Sequence, residues 1–481
     1  MDNIGRYARF EFSQTQEKIL DRLLHGENCL LLGFPGSGKT HMTAKIADSL
    51  ISIHKKKVAI TGSTGSASQQ VEQRMDNCKS VTPQTVHSFF GFQYKELAVI
   101  ERNIRAFQDM ITFQYKRQVK SRTNLLEYDV LVVDEVSMLT SSFVTALDIT
   151  AKLYRKKGDA PFGGLTLLFV GDFRQLPPVC MDTYRYPFLC PLWDTWIKNT
   201  FCLNFIIRQE ADNLFTDLIM GMSHNEITPS HRRMLRERVV PNGKVKIMDP
   251  AYMPDALRVF HTNQMVDSYN KAVTSSYENM QCYTTGLRYD FPESFTHEMR
   301  NKIRGKRIYT SEKVFIGATV ILTRNMCVES GAVNGAMGTI ERICSSPEEA
   351  DCPLYGGQHW DKYFCIKLTS GKRICVGPCI QELMYNDDNR FKYRVEYVPI
   401  LLGHAMTVHR LQGCTLDMPI FYWPFDTKDN NNSPFYVVCT RVTSLSLLHL
   451  VRVPEMLNEI IDPTIISYYE KMFLYERKKT T

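Results

Sequence analysis

The chain has 481 residues, 44% hydrophobic and 23% charged, with a formal net charge of +7. That length is too great for one ordinary core, so about two to four domains are expected, and the composition excludes a disordered or fibrous chain. The charge fits a nucleic-acid partner without demanding one, the polar residues 1–12 exclude a secretory signal, and no apolar run reaches the ~18 residues that span a bilayer.

Residues 10–16 precede a helical pattern with Ile19, Leu20, Leu23 and Leu24, for which Ser13 is a candidate cap. Gln16 can both donate to and accept from an adenine edge, although a surface Gln is the default. The apolar run 29–32 reads as a buried strand and leads into Gly33-Phe34-Pro35-Gly36-Ser37-Gly38-Lys39-Thr40. This is the phosphate-binding P-loop pattern, placed between strand and helix as its mechanism requires. Backbone N–H groups around Gly33, Gly36, Ser37 and Gly38 can close on a triphosphate at the helix N-terminus. Lys39 would reach the β- and γ-phosphates and Thr40 would hold Mg²⁺.

A second strand at 58–61 opens into Gly62-Ser63-Thr64-Gly65-Ser66-Ala67, a small hydroxyl-rich turn suited to a phosphodiester backbone or to no ligand at all. Residues 82–91 combine Thr85, His87, Phe89 and Phe90; the two rings serve base stacking or core packing equally well. Residues 94–122 look helical and basic, an insertion on the first unit. The strand 129–134 ends in Asp134 and Glu135, carboxylates placed to hold Mg²⁺ and to polarise a water. An amphipathic helix over 141–157 follows, then a strand over 165–170 ending in Gly171-Asp172-Phe173-Arg174-Gln175, where Gln175 can sense the γ-phosphate.

The first unit is expected to end near 201–208. Arg208, entering from the second, is a finger candidate whose alternative is a surface ion pair. A new α/β unit starts with a strand at 258–263, and residues 341–399 look like a small β module. That module holds Cys344, Cys352, Cys365, Cys375 and Cys379 with His359; a zinc site is conceivable there, although the spacings are not paired C-x-x-C knuckles and do not favour it. Residues 405–417 pack His409, Arg410, Gln412 and Gly413 into a short turn-helix. Residues 435–440 read as a strand carrying Arg441, a second finger candidate, at its end. The 14 cysteines lack disulfide-scaffold spacing and suggest a reducing nuclear or cytoplasmic setting.

The ordered motifs resemble the PIF family of DNA helicases, superfamily 1 and close to RecD-type enzymes. The likeness runs from Phe12 to about Val451. It rests on Gly33–Thr40, on Val133-Asp134-Glu135-Val136-Ser137-Met138-Leu139, and on Pro161-Phe162-Gly163-Gly164 leading into Gly171 to Val179. Thr85-Val86-His87-Ser88-Phe89 and Val333-Asn334-Gly335 with Gly338 add to it.

The resemblance implies an α/β fold of two RecA-like P-loop NTPase domains. The first covers 1–203, with a wedge-like helical insertion at about 91–125. The second covers 204–481, with an SH3-like β insertion at about 341–399. It implies an ATP- and Mg²⁺-dependent helicase that moves 5′ to 3′ on single-stranded DNA and opens duplex junctions, in replication, recombination, repair or telomere maintenance. An RNA helicase or a translocase that does not unwind is the alternative.

By resemblance Gln16 binds adenine, Gly413 lies in a nucleotide-contacting motif, Arg208 and Arg441 contact the γ-phosphate, and Gln175 couples it to DNA. Thr64, Gly65, Thr85, His87 and His409 fall in motifs that touch or flank the strand. The chain would act as a monomeric motor with no membrane role. Two positions depart from the pattern: Leu411 replaces a small residue, and Cys439 stands within Val438-Cys439-Thr440-Arg441-Val442.

Overall fold

The structure, a computed structural model, describes residues 2–63, 65–72, 74–75, 84–92, 94–117, 124–178, 186–209, 211–277, 281–304, 311–324, 326–327, 330–332, 335–357, 362–384, 392–424 and 433–480. The first unit is built on β1 (Cys29–Gly33), β2 (Val58–Gly62), β3 (Gln84–Thr85), β4 (Val130–Asp134), β5 (Thr166–Gly171) and β6 (Asn199–Leu203). These strands lie side by side in the order β3-β2-β4-β5-β1-β6, all parallel. Strands β1, β2, β4 and β5 are buried at every position, which is why their sequences run apolar without alternation. The order places β4, β5 and β1 next to one another. The loops after them, which carry the acid pair, Gln175 and the P-loop, therefore meet at one edge of the sheet.

The N-terminal helix is longer than expected. It runs Asp2–Leu24, so Ser13 sits inside it and caps nothing. Residues 11–16 contain neither Gly nor Pro, so nothing in them interrupts the helix. The expected helical insertion is a pair, Tyr94–Arg102 and Ile104–Lys116, joined at Asn103, whose side chain accepts from the N–H groups of Arg105 and Ala106. Phe107 of this pair lies edge-on to Phe92, which in turn meets Phe143 of the helix Ser141–Arg155. Phe89 and Phe90 are fully buried, so core packing rather than base stacking explains them. The end of the expected basic stretch, residues 118–122, lies outside the described residues.

The second unit has a parallel four-stranded sheet in the order Ala405–Thr407, Leu257–Phe260, Ile420–Tyr422, Leu448–Leu450. Buried Arg258 donates to the carbonyls of Met253, Ala256, Asp249 and Tyr252 and so ties the preceding loop to this sheet. The β module is wider than residues 341–399. Its larger sheet also takes in Thr319–Leu322, the start of Met337–Cys344, and Ile400–Leu402, and a smaller sheet takes in Leu287–Asp290.

Residues 435–440 form no strand: Ser433–Cys439 is a helix. Seven residues buried nearly all round carry no period that separates helix from strand; here the helix packs on Asn213–Ser223 and Val408–Leu411, and its Tyr436 donates to Asp172 of the first unit. The last helix, Pro463–Thr480, returns to the first unit, where Tyr468 stacks on Phe188 and accepts a hydrogen bond from Trp193 Nε1. No helix among the described residues is long and apolar enough to cross a membrane.

Candidate nucleotide cleft and nucleic-acid face

The P-loop has the backbone its sequence demands. Gly36 and Gly38 adopt φ of 80° and 91°, and a Cβ on Gly36 would stand 2.6 Å from Cβ of Arg208. Lys39 Nζ donates to the carbonyls of Gly33 (2.8 Å) and Phe34 (2.9 Å), so the ammonium lies across the mouth of its own loop. Burial pushes the Lys39 pKa down, opposed by Asp172, Glu135 and Asp134. Ser37 Oγ is fully buried and has no hydrogen-bond partner among the described residues. A buried hydroxyl without a partner, inside a ring of N–H groups, is what an absent anion leaves behind. At the rim, Phe12 stacks on His41 at 5.9 Å and lies beside Gly38. Gln16 is half-buried one helical turn after Phe12, on the same face.

The acids lie beside this loop. Asp134 is buried, and its Oδ1 accepts from the Glu135 N–H at 2.8 Å. Its carboxyl is pushed up to about 7, chiefly by burial and then by Glu135, against the pull of the Glu135 N–H, Lys39 and Arg74. Glu135 holds a left-handed backbone, φ 55° and ψ 47°, which is uncommon for a side chain of its size. A left-handed residue beside a buried carboxylate that is crowded by a second acid is an arrangement that a cation would relieve.

The two finger candidates converge. The segment after β6 lies on the P-loop, with the N–H groups of Ile207 and Arg208 on the Gly36 carbonyl. Arg208 thus stands on the wall of the first unit rather than entering from the second. Its Nη1 donates to the Thr440 carbonyl at 2.7 Å, and neighbouring Gln209 donates to the carbonyl of Val442. Arg441 follows a helix, not a strand, and its Nη2 donates to Gln175 Oε1 at 3.2 Å across 266 positions of sequence. Gln412 Nε2 donates to Glu135 Oε2 at 3.3 Å. Burial, then Arg441 and Arg74, pushes the Arg208 pKa down to about 9. Guanidinium groups held this close favour an anion between them.

Sequence reasoning missed the hub behind the cleft. Asp172 is fully buried and accepts from Arg174 Nε (2.7 Å), Tyr469 (2.9 Å) and Tyr436 (3.5 Å). The Arg174 guanidinium is held between the rings of Phe34 (4.1 Å) and Tyr469 (4.3 Å). Burial opposes the Arg174 charge, but Asp172 and then the two tyrosines outweigh it, and its pKa is raised. P-loop, β5 end, second unit and last helix therefore meet on one ion pair. Only the adjacency of Asp172 and Arg174 hinted at this.

The residues assigned to the strand-binding face are more scattered. Thr64 lies outside the described residues, and Gly65 opens the helix Gly65–Glu72. The Thr85 hydroxyl is engaged as the cap of Val86–Phe89, accepting from the Ser88 N–H and donating to its hydroxyl. His87 packs on Phe143 at 4.4 Å, and burial lowers its pKa. His409 is exposed on Val408–Leu411, a helix capped by Thr407. Beside that helix opens a cavity of about 1050 Å³ lined by Asn263, Lys271, Lys313, Thr407 and Arg410. Gly413 closes the helix with φ 84°. Leu411 and Cys439, the two departures, are both fully buried. Val333, Asn334 and Val179 lie outside the described residues.

The family described as PIF1-like helicase matches residues 11–219. The ATP-dependent DNA helicase Pif1 of Bdellovibrio bacteriovorus is 25% identical over 464 residues, 96% of this chain and 92% of that protein. The chain spans less than two thirds of its longer fungal relatives. Among solved structures, Pif1 helicase from Candida albicans aligns with a TM-score of 0.74 at 22% identity, covering 96% of this chain and 98% of that one. Bacteroides Pif1 bound to ssDNA aligns at 0.64 and 18% identity, covering 97% of each. The fold is thus that of two RecA-like domains.

Proposed function

This chain belongs to the PIF1-like helicases, and on that footing we propose that it is an ATP-dependent DNA helicase that translocates 5′ to 3′ on single-stranded DNA and opens duplex junctions. Replication, recombination and repair are the settings this activity serves. One observation carries the reading at the level of residues: Arg441 of the second unit meets Gln175 of the first at the edge where P-loop and acid pair lie. We assign 1–203, with the P-loop-packed segment that runs on to Arg208, to the first motor domain and the rest up to 481 to the second, the helix pair within 91–125 to a wedge, and the β module to the SH3-like insertion.

ATP fits between Phe12 with Gln16 on the base side and Gly33, Gly36, Ser37, Gly38 and Lys39 on the phosphates. Thr40 and Asp134 would hold Mg²⁺, which would screen the phosphate charge. Glu135, held in place by Gln412, orients and deprotonates the attacking water. As ATP enters, Lys39 exchanges its two loop carbonyls for phosphate oxygens. Arg208 and Arg441 then find the anion that their mutual repulsion calls for, and stabilise the charge that develops on transfer.

Arg441 holds Gln175 and lies beside the helix that places Tyr436 on Asp172, so loss of the anion is felt in both units at once. Opening and closing of this cleft moves the strand, through the region of Thr64, Gly65, Thr85 and His87 on one domain and His409 on the other.

The test is strand displacement on two matched duplexes, one with a 5′ and one with a 3′ single-stranded tail. Opening of the 5′-tailed duplex alone is expected. Opening only from the 3′ tail refutes the polarity. ATP turnover with RNA and not DNA refutes the substrate.

A further inference from the structure

A second cluster of chemistry lies in the β module, apart from the nucleotide cleft. Strands Met337–Cys344, Tyr363–Leu368 and Arg373–Val376 are antiparallel neighbours. Cys365 stands directly opposite Cys375 in their register, and Cys344 is one diagonal step away on the other side. Three adjacent strands thus each give one thiol to one face. The Cys344 and Cys365 sulfurs are 3.5 Å apart. The turn from 345 to 353 crosses this face and brings in Cys352. The sulfurs of Cys352 and Cys365 and a carboxylate oxygen of Asp351 lie within 4.8 Å of one another. Cys344, Cys365 and Cys375 are buried, while Cys352 and Asp351 face a cavity of about 530 Å³ that also borders Cys365.

We propose that Cys344, Cys352, Cys365 and Cys375 form a structural zinc site, with Asp351 beside it, that fastens the 345–353 turn to the β module. Tetrahedral zinc with bonds of about 2.3 Å to sulfur sets its sulfurs roughly 3.8 Å apart, close to the 3.5 Å between Cys344 and Cys365, while Cys352, Cys365 and Asp351 lie within 4.8 Å of one another. The same spacing is far longer than the ~2.05 Å of a disulfide. Isolated buried cysteines behave as small apolar side chains, but that role does not call for three thiols around a fourth or for a carboxylate beside them.

Burial first, and then the neighbouring thiols, push Cys344 up to about 11 and Cys352 up to about 12. Zinc would displace four protons and form four Zn–S bonds, with no change of oxidation state. The doubly negative centre that results has a counter-charge in place. Arg342 lies beside Cys365 and Cys344 and donates to Asp351 at 3.0 Å. The sequence concealed the site because its spacing, C-x₇-C-x₁₂-C-x₉-C, is set by strand pairing rather than by a knuckle turn.

The full chain is purified with a thiol reductant and without chelator, and its metal content is measured by mass spectrometry. About one zinc per chain is expected, released by a mercurial in step with the titration of four thiols. Cys365→Ser and the half-exposed Cys352→Ser should each lose most of that zinc, and the exposed Cys282→Ser, outside the cluster, should keep it. Should Cys365→Ser fail to fold, cobalt loaded into the unaltered chain decides: tetrahedral thiolate coordination gives strong visible bands, removed in Cys352→Ser. Zinc-free protein that takes up neither metal overturns the proposal. So does zinc that survives Cys352→Ser, or a Cys344–Cys365 disulfide found by mass under the same reducing conditions.

Discussion

Tyr469→Phe removes one oxygen from the hub behind the nucleotide cleft. That hydroxyl donates to buried Asp172 at 2.9 Å and accepts from the Phe173 N–H at 3.3 Å. A hydrogen bond to a buried charged group is worth about 1.5–3 kcal/mol, and an orphaned backbone N–H adds about 1 kcal/mol. The phenylalanine ring keeps its place under Arg174, so the cation–π contact survives. The expected loss is therefore about 3 kcal/mol, with Tyr469→Ala costing roughly 1–2 kcal/mol more through the ring. Trp193 lies against Phe173 and is hydrogen-bonded to Tyr468, so its fluorescence reports this region during urea unfolding. ATP turnover measured alongside should also fall, because Phe34 of the P-loop rests on the same guanidinium. A midpoint shift worth less than about 0.5 kcal/mol, the size of an ordinary surface change, would mean that Asp172 does not depend on the last helix.

Lys39→Ala should abolish ATP turnover with an unchanged far-ultraviolet circular dichroism spectrum; normal turnover would remove the motor assignment. Arg441→Ala and Arg208→Ala should each lower kcat by roughly 10³ and change KM for ATP far less, read by steady-state kinetics. Affinity for single-stranded DNA should fall steeply with salt, measured by fluorescence anisotropy, and a flat response would argue against phosphate contacts as its source. His261 and His404 are held near 4, by burial first and then by His409 and Arg258 respectively. Their folded values lie below the unfolded one of about 6.5, so the unfolded chain binds more protons between those limits. The second unit should therefore be fully stable above about pH 6.5 and lose stability as pH falls towards 4, and His404→Phe should flatten that slope in urea titrations.

The parts of this molecule legible in its sequence are those whose chemistry demands a local pattern. A P-loop needs Gly36 and Gly38 at fixed offsets from Lys39, and an acid pair that follows a buried apolar strand stands out from its surroundings. The same logic picked out β5 and Gln175. What escaped reading depends on partners distant in sequence. Tyr436 and Tyr469 look like ordinary aromatics until Asp172, more than 260 positions away, is folded between them. The helix Ser433–Cys439 was misread as a strand because contacts on all sides erase the period that distinguishes the two. The thiol cluster was hidden for the same reason, since antiparallel register and not chain spacing brings Cys365 between Cys344 and Cys375.

The convergent features share a direction. Arg441 reaches Gln175, Gln412 reaches Glu135, and Tyr436 reaches Asp172, so the second unit meets the ends of both β4 and β5 beside the P-loop. On the proposed function, a nucleotide held by one unit would be sensed by both. That is the minimum a two-domain motor requires for hydrolysis to change the grip on a strand.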